Sequence, residues 1–98
     1  MTINKTQNGN ALTIALEGRL DTVTSPELEK ELKDSLEAAE TLTLDFSKLE
    51  YISSAGLRVL LYVQKAMYGK GGMKVTHCIE IVMEVFEVTG FADILTIE

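Results

Sequence analysis

The amino-acid sequence predicts an α/β fold in which residues 1–98 form one domain around a four- or five-stranded mixed sheet. Runs in which every second residue is apolar predict strands, and stretches with an apolar residue every three or four positions predict about three helices. The predicted order is strand, strand, helix, strand, helix, strand, helix, strand. Strands that alternate with helices lie parallel, whereas the initial pair forms an antiparallel β-hairpin at the edge of the sheet.

A turn sequence between two apolar runs predicts the hairpin. The first strand begins at about Ile3 and leads to the turn Asn8-Gly9-Asn10. The second strand has every second residue apolar, as expected when one face lies on the core, and these residues are Leu12, Ile14 and Leu16. The segment from Gly18 to Thr24 is predicted to be the loop that follows this strand.

The first helix is predicted to begin near Pro26. Two starting points fit the sequence. Ser25 is the N-cap with proline at the first helical position, or Thr24 is the N-cap and Glu27 completes a capping box. The predicted buried stripe of this helix is Leu28, Leu32 and Leu36.

The central stretch from Thr41 to Leu61 reads TLTLDFSKLEYISSAGLRVLL and joins a strand to a helix at a pair of serines. Its first part alternates between apolar and polar residues, and the apolar ones are Leu42, Leu44 and Phe46. From Ser54 onward the apolar residues follow a helical period. The predicted apolar face of this helix is Leu57, Leu60, Leu61, Met67 and Tyr68, interrupted by Gln64.

The last third of the chain is divided by glycines. The run Gly69–Gly72 ends the second helix and is followed by a strand from Met73 to Cys78. A third helix extends from about Glu80 to Val88 and stops at Thr89-Gly90. A final strand is predicted near Ile94–Ile97.

Three loops are predicted to share one edge of the sheet. Asp21 follows the second strand, Ser53 and Ser54 follow the third, and His77–Ile79 follow the fourth. In parallel sheets, functional groups collect where strands end and loops lead into helix N-termini. This edge is therefore the predicted interaction surface.

Ser54 has two interpretations that the residues alone leave open. It is either an N-cap, whose hydroxyl accepts a hydrogen bond from a free helix amide, or a phosphoacceptor, since the amides and dipole at a helix N-terminus stabilise a phosphate. Gly56 lies inside the helix, where glycine costs about 1 kcal/mol relative to alanine. We therefore expect Gly56 to permit a close approach of backbone or partner.

Composition excludes several classes of protein. A net charge of −6 argues against nucleic-acid binding. Apolar runs are shorter than a membrane span, and no signal peptide is evident. The lone Cys78 favours a reducing compartment, so a cytoplasmic location is expected. His77 has no second histidine nearby, so neither a metal site nor catalysis is predicted, and no cofactor or small-molecule substrate is expected.

Three segments of the chain resemble the STAS domain of bacterial anti-sigma factor antagonists. DFSKLEYISSAGLRVLL resembles the strand end and helix start that form the family's signature. LEGRLDTVTSPELEKEL is similar to its second strand and first helix, with Leu20-Asp21 at the family's Leu-Asp pair. VFEVTGFADILTI resembles its last helix and strand. Ser53 stands where well-known members have aspartate.

The resemblance implies a STAS-like fold and an anti-sigma factor antagonist that is not an enzyme. The unphosphorylated domain would bind an anti-sigma factor with serine kinase activity and so release a sigma factor. Phosphorylation of Ser54, or less favourably Ser53, would end binding, and a serine phosphatase would restore it. The residues that the resemblance places at the partner contact are Asp21, Thr22, Ser53, Ser54, Ala55, Gly56 and Arg58.

Two functions of other classes would use the same residues. A serine hydrolase with Ser54 as nucleophile is disfavoured because His77 is the only possible base and no nucleophile elbow is present. A constitutive STAS scaffold in a signalling or lipid-transport complex would use the same edge of the sheet without phosphorylation. Phosphate incorporation at Ser54 distinguishes the scaffold from the switch.

Overall fold

The computed structural model describes residues 1–98 and contains a four-stranded sheet with strand order β1-β2-β3-β4. The strands are β1 (Thr2–Asn8), β2 (Ala11–Leu20), β3 (Thr41–Ile52) and β4 (Met73–Thr76). β1 and β2 pair antiparallel, while β3 pairs parallel with both β2 and β4. The predicted mixed α/β sheet with an N-terminal hairpin is thus confirmed.

Three α-helices connect and follow the strands: α1 (Ser25–Ser35), α2 (Ser54–Met67) and α3 (Glu80–Thr89). Short 3₁₀ turns lie at Leu36–Ala38 and Phe91–Asp93. The predicted number and order of helices are confirmed, and α3 ends where Gly90 adopts a left-handed backbone conformation with φ of 83°. None of the helices combines the length and apolarity needed to cross a membrane.

One hydrophobic core lies on one face of the sheet. It contains 23 buried residues, including the inward-facing positions of β2 and β3 together with Leu28, Leu60 and Phe86 from the three helices. The side chains that alternate with the core positions, such as Thr13 and Thr43, are only partly buried. The alternation read from the sequence therefore separates a core face from a polar face.

β3 is longer than its alternating segment because it contains two bulges. Its register against β2 shifts between the pairs Ala15/Asp45 and Glu17/Lys48, and again between Gly18/Leu49 and Arg19/Tyr51. Each shift adds one residue to β3. Because of the bulges, the buried positions at the end of β3 are three residues apart instead of two. These buried residues are Phe46, Leu49 and Ile52.

Three predicted boundaries were wrong. Gly18 to Leu20 belong to β2, so the loop before α1 is shorter than expected. β4 ends at Thr76 because His77 has a positive φ of 59°. The strand predicted at Ile94–Ile97 is reduced to one parallel bridge between Val75 and Ile97.

The apolar face of α2 also differs from the prediction. Tyr68 follows the helix and is 85% exposed, so it is not a core residue. Val59 and Val63 are buried instead. This rotation of the buried face is set by packing against β3 and α1, which the helical period alone does not determine.

Candidate functional site

The loop after β2 and the start of α2 lie side by side. Leu20 and Ile52, the last residues of β2 and β3, are paired in the sheet. The backbone N–H of Ser53 donates a hydrogen bond of 2.9 Å to the carbonyl of Leu20. β2 and β3 therefore end side by side, and Asp21 and Thr22 lie next to the serine pair.

The serine pair divides into a buried hydroxyl and an exposed one. Ser53 is the N-cap residue of α2, with an extended backbone, and its Oγ is buried without a hydrogen-bond partner. Ser54 is the first helical residue and is exposed. The N-cap interpretation of Ser54 was therefore wrong. Of the two hydroxyls, the one on Ser54 is open to an approaching enzyme.

The N-terminus of α2 has no negatively charged side chain of its own. No side chain caps it, and its first turn holds no acidic residue. The first amide groups of a helix lack intrahelical acceptors, and together with the helix dipole they give this end a partial positive charge. An anion attached to Ser54 would therefore lie in a favourable field.

Gly56 lies where α2 crosses closely over the ends of β2 and β3. A Cβ atom at this position would lie 2.8 Å from Cγ of Leu20 and 2.9 Å from Cγ1 of Ile52. The close approach inferred from the sequence is that of the helix to its own sheet. Gly56 is buried, so it positions Ser54 rather than presenting a surface of its own.

The Asp21 side chain holds the loop before α1. Its carboxylate accepts hydrogen bonds from the backbone N–H groups of Val23 at 3.0 Å and Thr24 at 3.1 Å. The bond from Thr24 is the main reason why the pKa of Asp21 lies below its usual value. Arg19 adds a weaker interaction, with Nε 3.7 Å from the carboxylate.

The N-cap of α1 is Thr24, without the capping box that the sequence suggested. The Thr24 hydroxyl donates to the carbonyl of Arg19 at 2.8 Å and accepts from the backbone N–H of Asp21 at 2.9 Å. Because the Thr24 hydroxyl makes its hydrogen bonds to the backbone of Arg19 and Asp21, it does not cap a backbone amide of α1. Ser25, the other candidate, is buried inside α1 with no partner for its Oγ.

A groove with a volume of about 480 Å³ runs between the starts of α1 and α2. Three of its lining residues, Thr22, Ala55 and Arg58, belong to the set expected at the partner contact. Arg58 is exposed and makes no salt bridge. It lies one helical turn after Ser54, so the two side chains share a face of α2.

Sequence reasoning missed two aromatic residues, Tyr62 in this groove and Tyr51 beside Arg19 on the sheet. Tyr62 lines the groove and is 43% exposed. Its position one turn after Arg58 was a signal that could have identified it. Tyr51 lies under the Arg19 guanidinium, whose carbon is 4.2 Å from the ring centre. That contact depends on cross-strand pairing, which the sequence does not reveal.

His77 is not part of this site, contrary to the prediction that the His77–Ile79 loop shares its edge of the sheet, whereas Ile79 lies beside Leu49 and Glu50 of β3. β4 pairs with β3 only as far as Asp45, and His77 lies beside that residue, with Nδ1 3.6 Å from its carboxylate. β3 continues for seven more residues to Ile52, a distance of about 20 Å in an extended strand. His77 is therefore too far from Ser54 to serve as its base.

The family model described as "Mlab, STAS domain" matches residues 3–96. A protein of Bordetella bronchiseptica, provisionally named anti-sigma factor antagonist BtrV, is 36% identical over 88 residues. The match covers 88% of this chain and 76% of that protein.

Solved structures of low sequence identity share the fold. A crystal structure of an anti-sigma factor antagonist from Mycobacterium paratuberculosis has a TM-score of 0.89 and 21% identity, covering 98% of this chain and 83% of that one. SpoIIAA in its unphosphorylated form has a TM-score of 0.85 and 17% identity, covering 99% and 88%. The phosphorylated form of this Bacillus protein has a TM-score of 0.76 and 16% identity, covering 99% and 91%.

Proposed function

The chain belongs to the STAS domain family, and on that premise we propose that residues 1–98 act as one domain that antagonises an anti-sigma factor. The name of the Bordetella relative supports this role. In the proposed mechanism the unphosphorylated domain binds an anti-sigma factor that is also a serine kinase, and a sigma factor is released. ATP and Mg²⁺ belong to that kinase, and a serine phosphatase reverses the modification.

The observation that carries the proposal is the exposed hydroxyl of Ser54 at an uncapped helix N-terminus. A kinase reaches this hydroxyl without unfolding the domain. The buried Oγ of Ser53 is a poor acceptor by comparison. Ser54 is thus the proposed phosphorylation site, and Ser53 is disfavoured.

The proposed partner surface surrounds Ser54. It consists of Thr22, Ala55, Arg58 and Tyr62, which line the groove between α1 and α2. Asp21 and Gly56 contribute by holding the loop and the helix in place rather than by presenting free groups. A docked partner would therefore cover the start of α2.

Phosphate on Ser54 would leave the fold intact and prevent docking. It adds nearly two negative charges, which the free amides of α2 and the unpaired Arg58 stabilise. A partner covering this helix start would have to bury the dianion. Changing occupancy from mostly bound to mostly free requires about 3 to 5 kcal/mol, and burial of an incompletely paired charge costs several kcal/mol. The SpoIIAA structures, solved in phosphorylated and unphosphorylated forms, support a folded protein in both states.

Intact-mass and peptide mass spectrometry tests the phosphorylation site. The protein is incubated with ATP, Mg²⁺ and the anti-sigma factor kinase from its own cell, and wild type is compared with Ser54→Ala and Ser53→Ala. We expect one phosphate in wild type and Ser53→Ala and none in Ser54→Ala. A phosphate lost only in Ser53→Ala would move the switch to the neighbouring residue.

A constitutive STAS scaffold is the second candidate function. The matching family model is described as a Mlab STAS domain rather than by an anti-sigma name, which favours keeping this alternative. A scaffold would bind its partner through the same groove and accept no phosphate. Absence of phosphate with every native kinase, together with partner binding retained in Ser54→Glu, would favour the scaffold.

A further inference from the structure

Helix α3 carries two apolar stripes, although one suffices to pack it on the sheet. Val82 and Phe86 are fully buried in the core. A second stripe, consisting of Ile81, Val85 and Val88, follows the same helical spacing beside the first, with Val85 partly buried against the core and the other two exposed. Ile81 is 57% and Val88 82% exposed, and the three residues line a shallow groove of about 300 Å³.

The outer stripe has an acidic border. Glu80, Glu84 and Glu87 lie along one side of it, as the helical period of 3.6 residues places them. All three are exposed and none makes a salt bridge. The last turn of α3 contains no basic residue. The outer face of α3 therefore combines unpaired apolar area with unpaired negative charge.

We propose that the outer face of α3, defined by Ile81, Val85 and Val88, is a second docking site for a helix of another protein, whose apolar stripe is bordered by lysine or arginine. Charge complementarity selects this occupant. A second copy of the chain would bring two rows of glutamate together, and an anionic membrane surface would be repelled in the same way. An amphipathic helix binds by laying an apolar stripe of this spacing against an apolar surface, which the stripe and shallow groove of α3 provide.

This site does not depend on the proposed switch. The α3 stripe shares no residue with the groove between α1 and α2. A partner on α3 would therefore remain bound whether or not Ser54 carries phosphate. The inference rests on the exposure and charge of α3 alone, so its failure would leave the proposed function untouched.

Three synthetic peptides of about 18 residues test the chemistry of the occupant. One is an amphipathic helix with leucines at the i, i+4 and i+7 positions and lysines beside them. The second replaces the lysines by glutamates, and the third is a shuffled version of the first that has the same composition and no stripe. Binding is followed by amide chemical shifts of the ¹⁵N-labelled protein. We expect saturable shifts in α3 with the first peptide only, weaker at high salt.

Two variants, each at a valine of similar exposure, test whether the lysine peptide binds at the stripe on α3. Val88→Glu changes a residue of the stripe, and Val23→Glu changes an equally exposed valine, at 85%, outside it. We expect Val88→Glu to weaken binding of the lysine peptide about tenfold or more and Val23→Glu to leave it unchanged. Equal binding of the shuffled peptide, unchanged binding in Val88→Glu, or no saturable shift overturns the proposal. A dimer of the free protein in light scattering that Val88→Glu abolishes would overturn the choice of occupant.

Discussion

Replacing Gly56 by alanine tests how closely α2 must approach the sheet to place Ser54. The added methyl would lie 2.8 Å from Leu20 Cγ, 2.9 Å from Ile52 Cγ1 and 3.0 Å from Leu20 Cδ2. Leu20 is 0% and Ile52 2% exposed, so neither side chain has free space to move into. The helix or the strand ends must therefore shift.

The expected cost combines two opposing effects. Overpacking a dense core costs about 1–3 kcal/mol, whereas alanine in place of glycine inside a helix gains about 1 kcal/mol. Since all three contacts are with buried side chains and are no longer than 3.0 Å, we expect an overpacking cost in the upper part of its range, about 2–3 kcal/mol, and therefore a net loss of about 1–2 kcal/mol. For a domain of this size the loss lowers Tm by about 5–15 °C.

Thermal and urea unfolding followed by circular dichroism measures this loss. Gly69→Ala is the matched control, because a Cβ at Gly69 would meet nothing within 4 Å. We expect Gly69→Ala to be neutral or stabilising by a few tenths of a kcal/mol. If Gly56→Ala is as stable as wild type, the argument that Gly56 is required by close packing is refuted.

Three further predictions concern single side chains. Lys70 Nζ donates to the carbonyls of Leu36 at 2.6 Å and Ala39 at 3.0 Å, so Lys70→Met should lower the free energy of unfolding by about 1–3 kcal/mol; an unchanged urea midpoint would contradict this. Hydrogen bonds from backbone amides lower the pKa of Asp21 in the folded state. Below about pH 4 the unfolded state therefore binds more protons, and stability should fall as acid is added. The loss of stability at low pH should be smaller in Asp21→Asn. Equal slopes of Tm against pH in wild type and Asp21→Asn would argue against this contribution of Asp21. Burial raises the pKa of the Cys78 thiol to about 11, so alkylation by iodoacetamide at pH 8 should be at least about tenfold slower in the folded protein than in urea; equal rates would show an accessible thiolate.

The fold was predictable because its main signals are local. The alternation in Leu12–Leu16 and Leu42–Phe46 specifies which strand face is buried, and the Asn8-Gly9-Asn10 turn specifies the hairpin. These patterns depend on residues close together in the chain. The register bulges of β3 depend on pairing with β2, so the extension of the strand to Ile52 was not predictable from alternation.

The site was predictable in part for the same reason. The strand-to-helix change placed Ser54 at the start of α2, but which serine occupies the N-cap depends on the hydrogen bond from Ser53 to the end of β2. The role of Asp21 in its loop follows from Asx geometry, which leaves a partner role untested. The expectation that His77 shares the edge failed because β4 is short, and strand length is set by the conformation of the loop.

The central claim is that phosphate on Ser54 abolishes binding to an anti-sigma factor. The most direct test is calorimetric titration of the anti-sigma factor kinase from the same cell with protein carrying phosphoserine at position 54, incorporated during synthesis. Unmodified protein and protein with phosphoserine at position 53 are the controls, and circular dichroism checks that each is folded. We expect a rise in Kd of about 150-fold or more for phosphoserine 54, which corresponds to at least about 3 kcal/mol. Equal Kd values for the folded unmodified and Ser54-phosphorylated proteins would contradict the switch.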